Sequence, residues 1–366
     1  MSIIESPAVR RHGVTPLAAR WSAVCRLDQL EPLWGEAVLL PDGRQAALFL
    51  LPGGRLFACD NLDPEAGAMV MSRGLVGTRT VAGESRPTIA SPLHKDVYDL
   101  ETGRCYTDPE FALPLWRVRV RDGVVELAPM PVLVAASHGT DSMPGRAAVA
   151  ALVAEVRQAA PGIRIEDAFV DVQQPDVPSV AAGIEGDAVL VPLLLSAGYH
   201  VRVDLAEAAD GHRDDTRDAA VAAALGPDAR LTAVLLRRLR EAGWEPGDPV
   251  VLAAAGSTDP AAVADCRIAA ELLAHEIGAP VPVGFVSAAQ PPLRDAVEAA
   301  RADAGAHGRI AVASYLLAPG YFHGLAAKLA REGGAELVSE PLLEASAPPP
   351  IELVEIVLAR FTAALG

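Results

Sequence analysis

From Trp21 to about Leu127 the apolar residues come in short runs separated by turn signals. WSAVCRL, AVLL, AALFLL, RLFAC, TIASPL, DVYDL, LWRVRV and VVELA are rich in aliphatic and β-branched residues, and Asp42-Gly43, Gly53-Gly54 and Asp122-Gly123 punctuate them. This pattern predicts about eight short strands folded into a small sandwich or barrel. Residues 1–14 read as a mobile tail. Pro129-Met130-Pro131 marks a domain junction, because proline cannot donate to a continuing strand ladder. Beyond it, strand-length apolar runs alternate with alanine-rich helical stretches such as Arg146–Ala159 and Ala261–His275. Such alternation predicts βαβ units with parallel sheets.

The second pattern is itself repeated. VLVAASHGTD (Val132–Asp141) matches VVLAAAGSTD (Val250–Asp259), AFVDVQQP (Ala168–Pro175) matches GFVSAAQP (Gly284–Pro291), and VPLLLSAGYHV (Val191–Val201) matches ASYLLAPGYFH (Ala313–His323). Three blocks in one order predict two copies of an α/β lobe with a ligand cleft between them, facing the carboxyl ends of both sheets. The domains expected are 15–128, 129–248 and 249–366. The apolar helical pattern from Ile351 to Leu365 is expected to pack on the second lobe.

The copies differ where chemistry is possible. His138 faces Ala255, Asp171 faces Ser287 and His200 faces Phe322. Residues needed only for packing would have similar reason to persist in both copies, so their joint loss from the second lobe points to one site, in the first. His323 lies one position beyond the slot of His200 and stays outside the set. The charged stretch Asp210–Asp218, with His212, reads as an exposed loop or a lid.

Composition narrows the classes. The chain has 366 residues, 51% of them hydrophobic, yet no apolar run reaches the roughly 18 residues of a membrane span. Neither a membrane nor an export signal is expected, and the protein reads as cytoplasmic. Its four cysteines, Cys25, Cys59, Cys105 and Cys266, form no CxxC pair, which argues against a disulfide scaffold or structural zinc. A net charge of −16 argues against nucleic acid as partner.

Two resemblances follow from these residues. The loops Cys59–Pro64 and Ser91–Lys95 resemble the ligand loops of Rieske proteins, but Asn61 and Ser91 stand where two of the four ligands would be. CDNLDP, MSRGLVG and ASPLHKDVYDLETG resemble more closely the small subunit of assimilatory NAD(P)H nitrite reductase, a Rieske-like domain without a cluster. The resemblance implies an all-β domain over about residues 20–128, no iron–sulfur cluster, and the large reductase subunit as a possible partner. SHGT before a helix, the FxDxxxP block and LLLSAGYHVRVDL resemble the sirohydrochlorin chelatases, class II chelatases of which this would be the two-lobe form.

The second resemblance implies an enzyme that inserts a divalent metal into sirohydrochlorin. Fe²⁺ is the expected substrate metal, giving the sirohaem that nitrite reductase uses; Co²⁺, on the way to corrinoids, is the alternative. A non-catalytic subunit that only carries sirohaem is a third reading. The family's metal-handling histidines fall on His138 and His200, and its glutamate falls on Asp171, one methylene shorter. A second acidic position of that block is Gln174 here. Imidazole suits the task because it binds such ions without neutralising them and accepts protons near neutral pH. Arg146, Arg202 and Lys328 are candidates to hold the substrate's carboxylates, and Gly139, Gly198 and Gly320 to let backbone approach the macrocycle.

Overall fold

Strand-length runs before the junction pair antiparallel, several of them through turns of a few residues. The structure, a computed structural model, describes residues 17–18, 20–196, 198–304 and 308–366, and only the backbone of 199–202. The expected tail over 1–14 lies outside the described residues. Among the described residues the N-terminal domain has nine strands: β1 (Ser22–Arg26), β2 (Gly35–Leu39), β3 (Gln45–Leu50), β4 (Leu56–Asp60), β5 (Leu75–Val81), β6 (Glu84–Ala90), β7 (Val97–Asp99), β8 (Leu115–Arg121) and β9 (Val124–Pro129). A six-stranded sheet runs β1-β9-β8-β4-β3-β2 and a three-stranded sheet β5-β6-β7. The strand absent from the sequence reading is β5, LVGTRTV, which has no buried residue and hence no apolar alternation to reveal it.

After a two-residue junction the chain forms β10 (Val132–Ser137), α1 (Met143–Ala159), β11 (Ile165–Phe169), α2 (Val177–Ala182), β12 (Ala188–Pro192), α3 (Tyr199–His212), β13 (Ala219–Val221) and α4 (Ala229–Glu241). The pattern then recurs as β14 (Val250–Ala254), α5 (Pro260–Ile277), β15 (Val283–Phe285), α6 (Leu293–Ala304), β16 (Ala311–Tyr315), α7 (Tyr321–Glu332), β17 (Leu337–Val338) and α8 (Ile351–Ala364). The two parallel sheets have equivalent orders, β11-β10-β12-β13 and β15-β14-β16-β17. Helices cover both faces of β10, β12, β14 and β16, so every residue of these strands is buried.

The lobes exchange their last helices. Contrary to the sequence expectation, α8 packs on α1 and β12 of the first lobe, while α4 packs on α5 and β16 of the second. An apolar face specifies that a helix must be covered, not which copy covers it. Two arginines at equivalent positions fasten the exchange. Arg238 of α4 is buried, donates to the Leu342 carbonyl (3.3 Å) and pairs with Glu344. Arg360 of α8 donates to the carbonyls of Ala224 (2.7 Å) and Leu225 (2.9 Å). One apolar core therefore runs through both lobes, from Leu133 and Leu152 to Leu252 and Phe361.

The N-terminal domain is docked by main-chain bonds. Gly162 N–H donates to Thr102 O (2.8 Å), and Leu115 N–H donates to Gly162 O (3.2 Å). A Cβ on Gly103 would lie 2.5 Å from the Gly162 Cα, so this contact excludes side chains. Among the described residues no helix is long and apolar enough to cross a membrane.

Candidate functional site

The site is assembled at the carboxyl ends of β10 and β12 and of their counterparts β14 and β16. His138 is the first residue past β10 and is exposed. Its carbonyl accepts from the Asp171 N–H (3.0 Å), and Ser137 O accepts from Val170 N–H (2.9 Å), which ties the two loops together. Gly139 has φ +88°, and a Cβ there would meet the Asp171 carbonyl at 2.1 Å. The second lobe has the same construction: Ser287 N–H donates to Ala255 O (3.0 Å), and Gly256, with φ +93°, lies against the Ser287 carbonyl. Gly139 thus has a structural reason that its unreactive twin shares. A substrate contact is not needed to explain it.

Between the lobes lies a cavity of about 720 Å³. The first lobe contributes His138, Thr140, Asp141, Arg146, Gln173 and Gly198, and the second contributes Tyr315, Leu316, Leu317, Tyr321, Phe322 and His323. Loop contacts fix its width. A Cβ on Gly145 would meet Pro319 O at 2.4 Å, and one on Gly198 would lie 3.5 Å from Ser257 Oγ. The Tyr315 hydroxyl donates across the seam to Leu195 O (3.2 Å). Burial holds that phenol well above its ordinary range and pushes the Cys266 thiol of the wall up to about 11. Both stay protonated and uncharged at neutral pH.

The expected residues are placed unequally. His138, Gly139, Arg146 and Gly198 all line the cavity. The Arg146 guanidinium is partly committed, donating to Thr140 O (2.7 Å) and lying 3.3 Å from the Asp141 carboxylate. Asp171 is exposed and absent from the lining, and its Oδ1 accepts from the Val172 N–H (2.7 Å). From the middle block Phe169, Val172 and Gln173 line the wall, and the polar one is Gln173, whose Oε1 accepts from Thr140 N–H (2.9 Å). The side chains of His200 and Arg202 lie outside the described residues; their backbone forms the first turn of α3, next to the cavity residue Gly198. Among the described residues no three His, Cys, Asp or Glu side chains form a group that could hold a metal.

Other expectations are corrected. Lys328 is exposed, 3.9 Å from Glu332, and not in the wall. His323 is in the wall, with Nε2 3.3 Å from Ser339 O. His212 is neither exposed nor part of a lid: it is buried, with Nδ1 2.9 Å from Ala181 O and Nε2 2.8 Å from Gly186 O. The stretch around it is pinned by Arg213 to Asp218 (2.8 Å) and Arg217 to Asp214 (2.8 Å), so it is no lid. Sequence reasoning missed Gln173, Tyr315 and Tyr321, although each lies inside a repeated block.

In the N-terminal domain the four ligand positions do not fit an iron–sulfur cluster. Cys59 is fully buried, and burial raises its thiol far above the usual range. Asn61 is buried and engaged, donating to Gln45 Oε1 (2.9 Å) and accepting from Ser72 N–H (2.8 Å). The Ser91 hydroxyl donates to Asp63, whose other oxygen accepts from the Glu65 and Ala66 N–H groups (3.0 and 3.2 Å). His94 is half exposed, 3.4 Å from Glu65. A cluster needs four converging thiolate or imidazole donors, and here two positions carry neither and are bonded elsewhere.

Comparison with known proteins finds two family models that match different parts of the chain. The CbiX family model matches residues 132–242 and 249–348, more than half of the chain, and the model described as a Rieske-like [2Fe-2S] domain matches 20–128. The small subunit of Escherichia coli K12 nitrite reductase (NADH) is 33% identical over 109 residues, 30% of this chain and 97% of that protein. The large subunit of Klebsiella oxytoca nitrite reductase [NAD(P)H] is 40% identical over 105 residues, 29% of this chain but 10% of that one. In shape, SirB from Bacillus subtilis with Fe3+ matches with a TM-score of 0.54 at 19% identity, covering 65% of this chain and 96% of SirB; that likeness concerns the fold. The chain therefore belongs to the CbiX family of class II metal chelatases and, through residues 20–128, to the Rieske-like small subunits of nitrite reductase.

Proposed function

We propose that this protein inserts Fe²⁺ into sirohydrochlorin, with His138 and His200 as the groups that receive the metal and the displaced protons. The observation that carries the reading is the unequal cavity: an imidazole at position 138 where an otherwise equivalent loop has Ala255. Insertion exchanges two pyrrole N–H protons for one divalent ion, so a base must stand where the metal enters. Neutral imidazole can do both jobs in turn. Arg146 would meet a substrate carboxylate at the first-lobe wall. Gln173 would orient by hydrogen bonding. Asp171 would join the metal only after its carboxylate leaves the Val172 amide.

Iron is favoured over cobalt by the attached domain, since its relatives are nitrite reductase subunits and that enzyme class, as the sequence resemblance implies, uses sirohaem. We further propose that the N-terminal domain carries no cluster and serves to bring the large reductase subunit to the chelatase in the cytoplasm. Leu62 and Leu93, exposed on the two former ligand loops, offer an apolar contact for such a partner. The test is anaerobic absorbance of sirohydrochlorin with Fe²⁺ or Co²⁺, with wild type, His138→Ala and His200→Ala. Multiple turnovers with Fe²⁺ preferred, and a loss of at least 100-fold in either variant, are expected. Insertion by His138→Ala within twofold of wild type would refute the assignment, and binding without turnover would favour the carrier reading.

A further inference from the structure

The second lobe has Ala255 and Phe322 at the slots of His138 and His200, yet it lines the cavity with aromatic rings. Tyr321 and Phe322 open α7 and are 76% and 44% exposed, whereas Phe285, Tyr315 and Phe361 of the same half are 1%, 2% and 1% exposed. Both line the cavity, and their rings meet edge to face, centroids 5.6 Å apart at 83°. The loop before them is held by the close approach of the Pro319 carbonyl to Gly145 in the first lobe. Of their neighbours in the wall, Leu316, Leu317 and Pro319 offer no side-chain hydrogen bond, and the His323 ring has Nε2 3.3 Å from Ser339 O. Large aromatic surface left in water at the mouth of a cavity is a binding surface in want of a flat ligand.

From this we infer that Tyr321 and Phe322 form the platform on which the conjugated face of the tetrapyrrole rests, while the first lobe supplies metal and proton chemistry from the opposite side. The inference rests on the proposed chelatase substrate and divides the labour between the copies. One lobe reads the ring by contact, and the other reads its centre by coordination.

The experiment uses the full chain and separates ring binding from metal binding. Metal-free sirohydrochlorin is titrated anaerobically by absorbance, and Co²⁺ alone by calorimetry, into wild type, Tyr321→Ala/Phe322→Ala and Phe322→Trp. The double variant is expected to raise the Kd for metal-free sirohydrochlorin at least tenfold while the Co²⁺ Kd stays within twofold, and Phe322→Trp to stay within threefold of wild type for both. Both rings are exposed, so the fold should survive, and a thermal melt confirms it. A double variant that binds sirohydrochlorin within twofold of wild type, or loses Co²⁺ in parallel, overturns the platform alone. A wild type that binds no sirohydrochlorin overturns the platform and the proposed substrate together.

Discussion

The twin glycines Gly139 and Gly256 allow the scaffold of the site to be tested apart from its chemistry. Alanine at either would hold a left-handed backbone conformation, φ +88° or +93°, at a cost of roughly 1–2 kcal/mol. Its Cβ would also lie 2.1 Å from Asp171 O in the first lobe, or 1.8 Å from Ser287 O in the second. Neither carbonyl can yield freely, since each belongs to a loop bonded to its own strand end, and relieving such overlap costs typically about 1–3 kcal/mol. Each substitution should therefore destabilise by about 2–5 kcal/mol. At about 2–4 °C per kcal/mol, a middle value of about 3 kcal/mol lowers Tm by about 6–12 °C.

The two should part company in activity. At a temperature where both variants are folded, Gly139→Ala displaces the loop carrying His138 and should lower metal insertion at least tenfold. Gly256→Ala displaces Ala255 and Ser287 and should lower it less than threefold. Calorimetry or urea unfolding measures the first effect, and anaerobic insertion assays the second. A Gly139→Ala variant within about 0.5 kcal/mol of wild type would refute the close approach, because that is the scatter of ordinary surface substitutions. Equal activity losses in both variants would refute the one-sided site.

Three further outcomes follow. The bidentate Arg237 guanidinium of α4 (3.0 and 3.1 Å) holds the Glu352 carboxyl of α8 below the usual glutamate range. The stability this contributes is fully present above the ordinary glutamate pKa and is lost as pH falls through the lowered folded value. Because Arg237 is 44% exposed, it amounts to under about 1 kcal/mol, and Glu352→Gln should flatten the acid limb of a stability–pH profile by that much. His212→Ala should cost about 2–4 kcal/mol in urea unfolding, by taking the imidazole from the Gly186 carbonyl and opening a small void beside Ala181, whose carbonyl keeps the Ile184 N–H (3.1 Å), with insertion per folded molecule unchanged; a loss of activity at full folding would restore the lid. Gly162→Ala would place a Cβ 2.7 Å from Leu113 O and 2.9 Å from Thr102 O. It should split one calorimetric transition into two while chelatase activity persists, and an unchanged single transition would contradict the docking.

The parts of this molecule legible in the sequence are those fixed by burial on a short period. Buried runs such as VLVAAS and VVLAA can only be central strands, and their recurrence shows the duplication. Strand β5 was not legible because both its faces meet water. The orientation of the middle block was not legible either. Val172 takes a left-handed conformation, φ 62°, just past the end of β11. That breaks the alternation by which residues two apart share a face, so nothing in FVDVQQ says that Gln173 enters the wall and Asp171 does not. The helix exchange was hidden for a different reason: α4 and α8 have similar apolar faces and similar arginines, so the sequence is consistent with each helix covering either lobe.

That exchange bears on how the N-terminal domain is joined to the chelatase lobes. A flexible tether would act by effective concentration alone. Here only Met130 and Pro131 separate β9 from β10, and Met130 packs against the cores of both domains. Arg117 of β8 donates to the Leu365 carbonyl just past α8, and α8 in turn lies on α1, which follows the His138 loop, and on β12, which leads to the Gly198 loop. The N-terminal domain is thus held to the first lobe at its own junction and through the last helix of the second. A partner bound to that domain would meet the cavity in one orientation, and cutting the chain between residues 129 and 132 should leave the two pieces associated until the main-chain contact at Gly162 is disturbed.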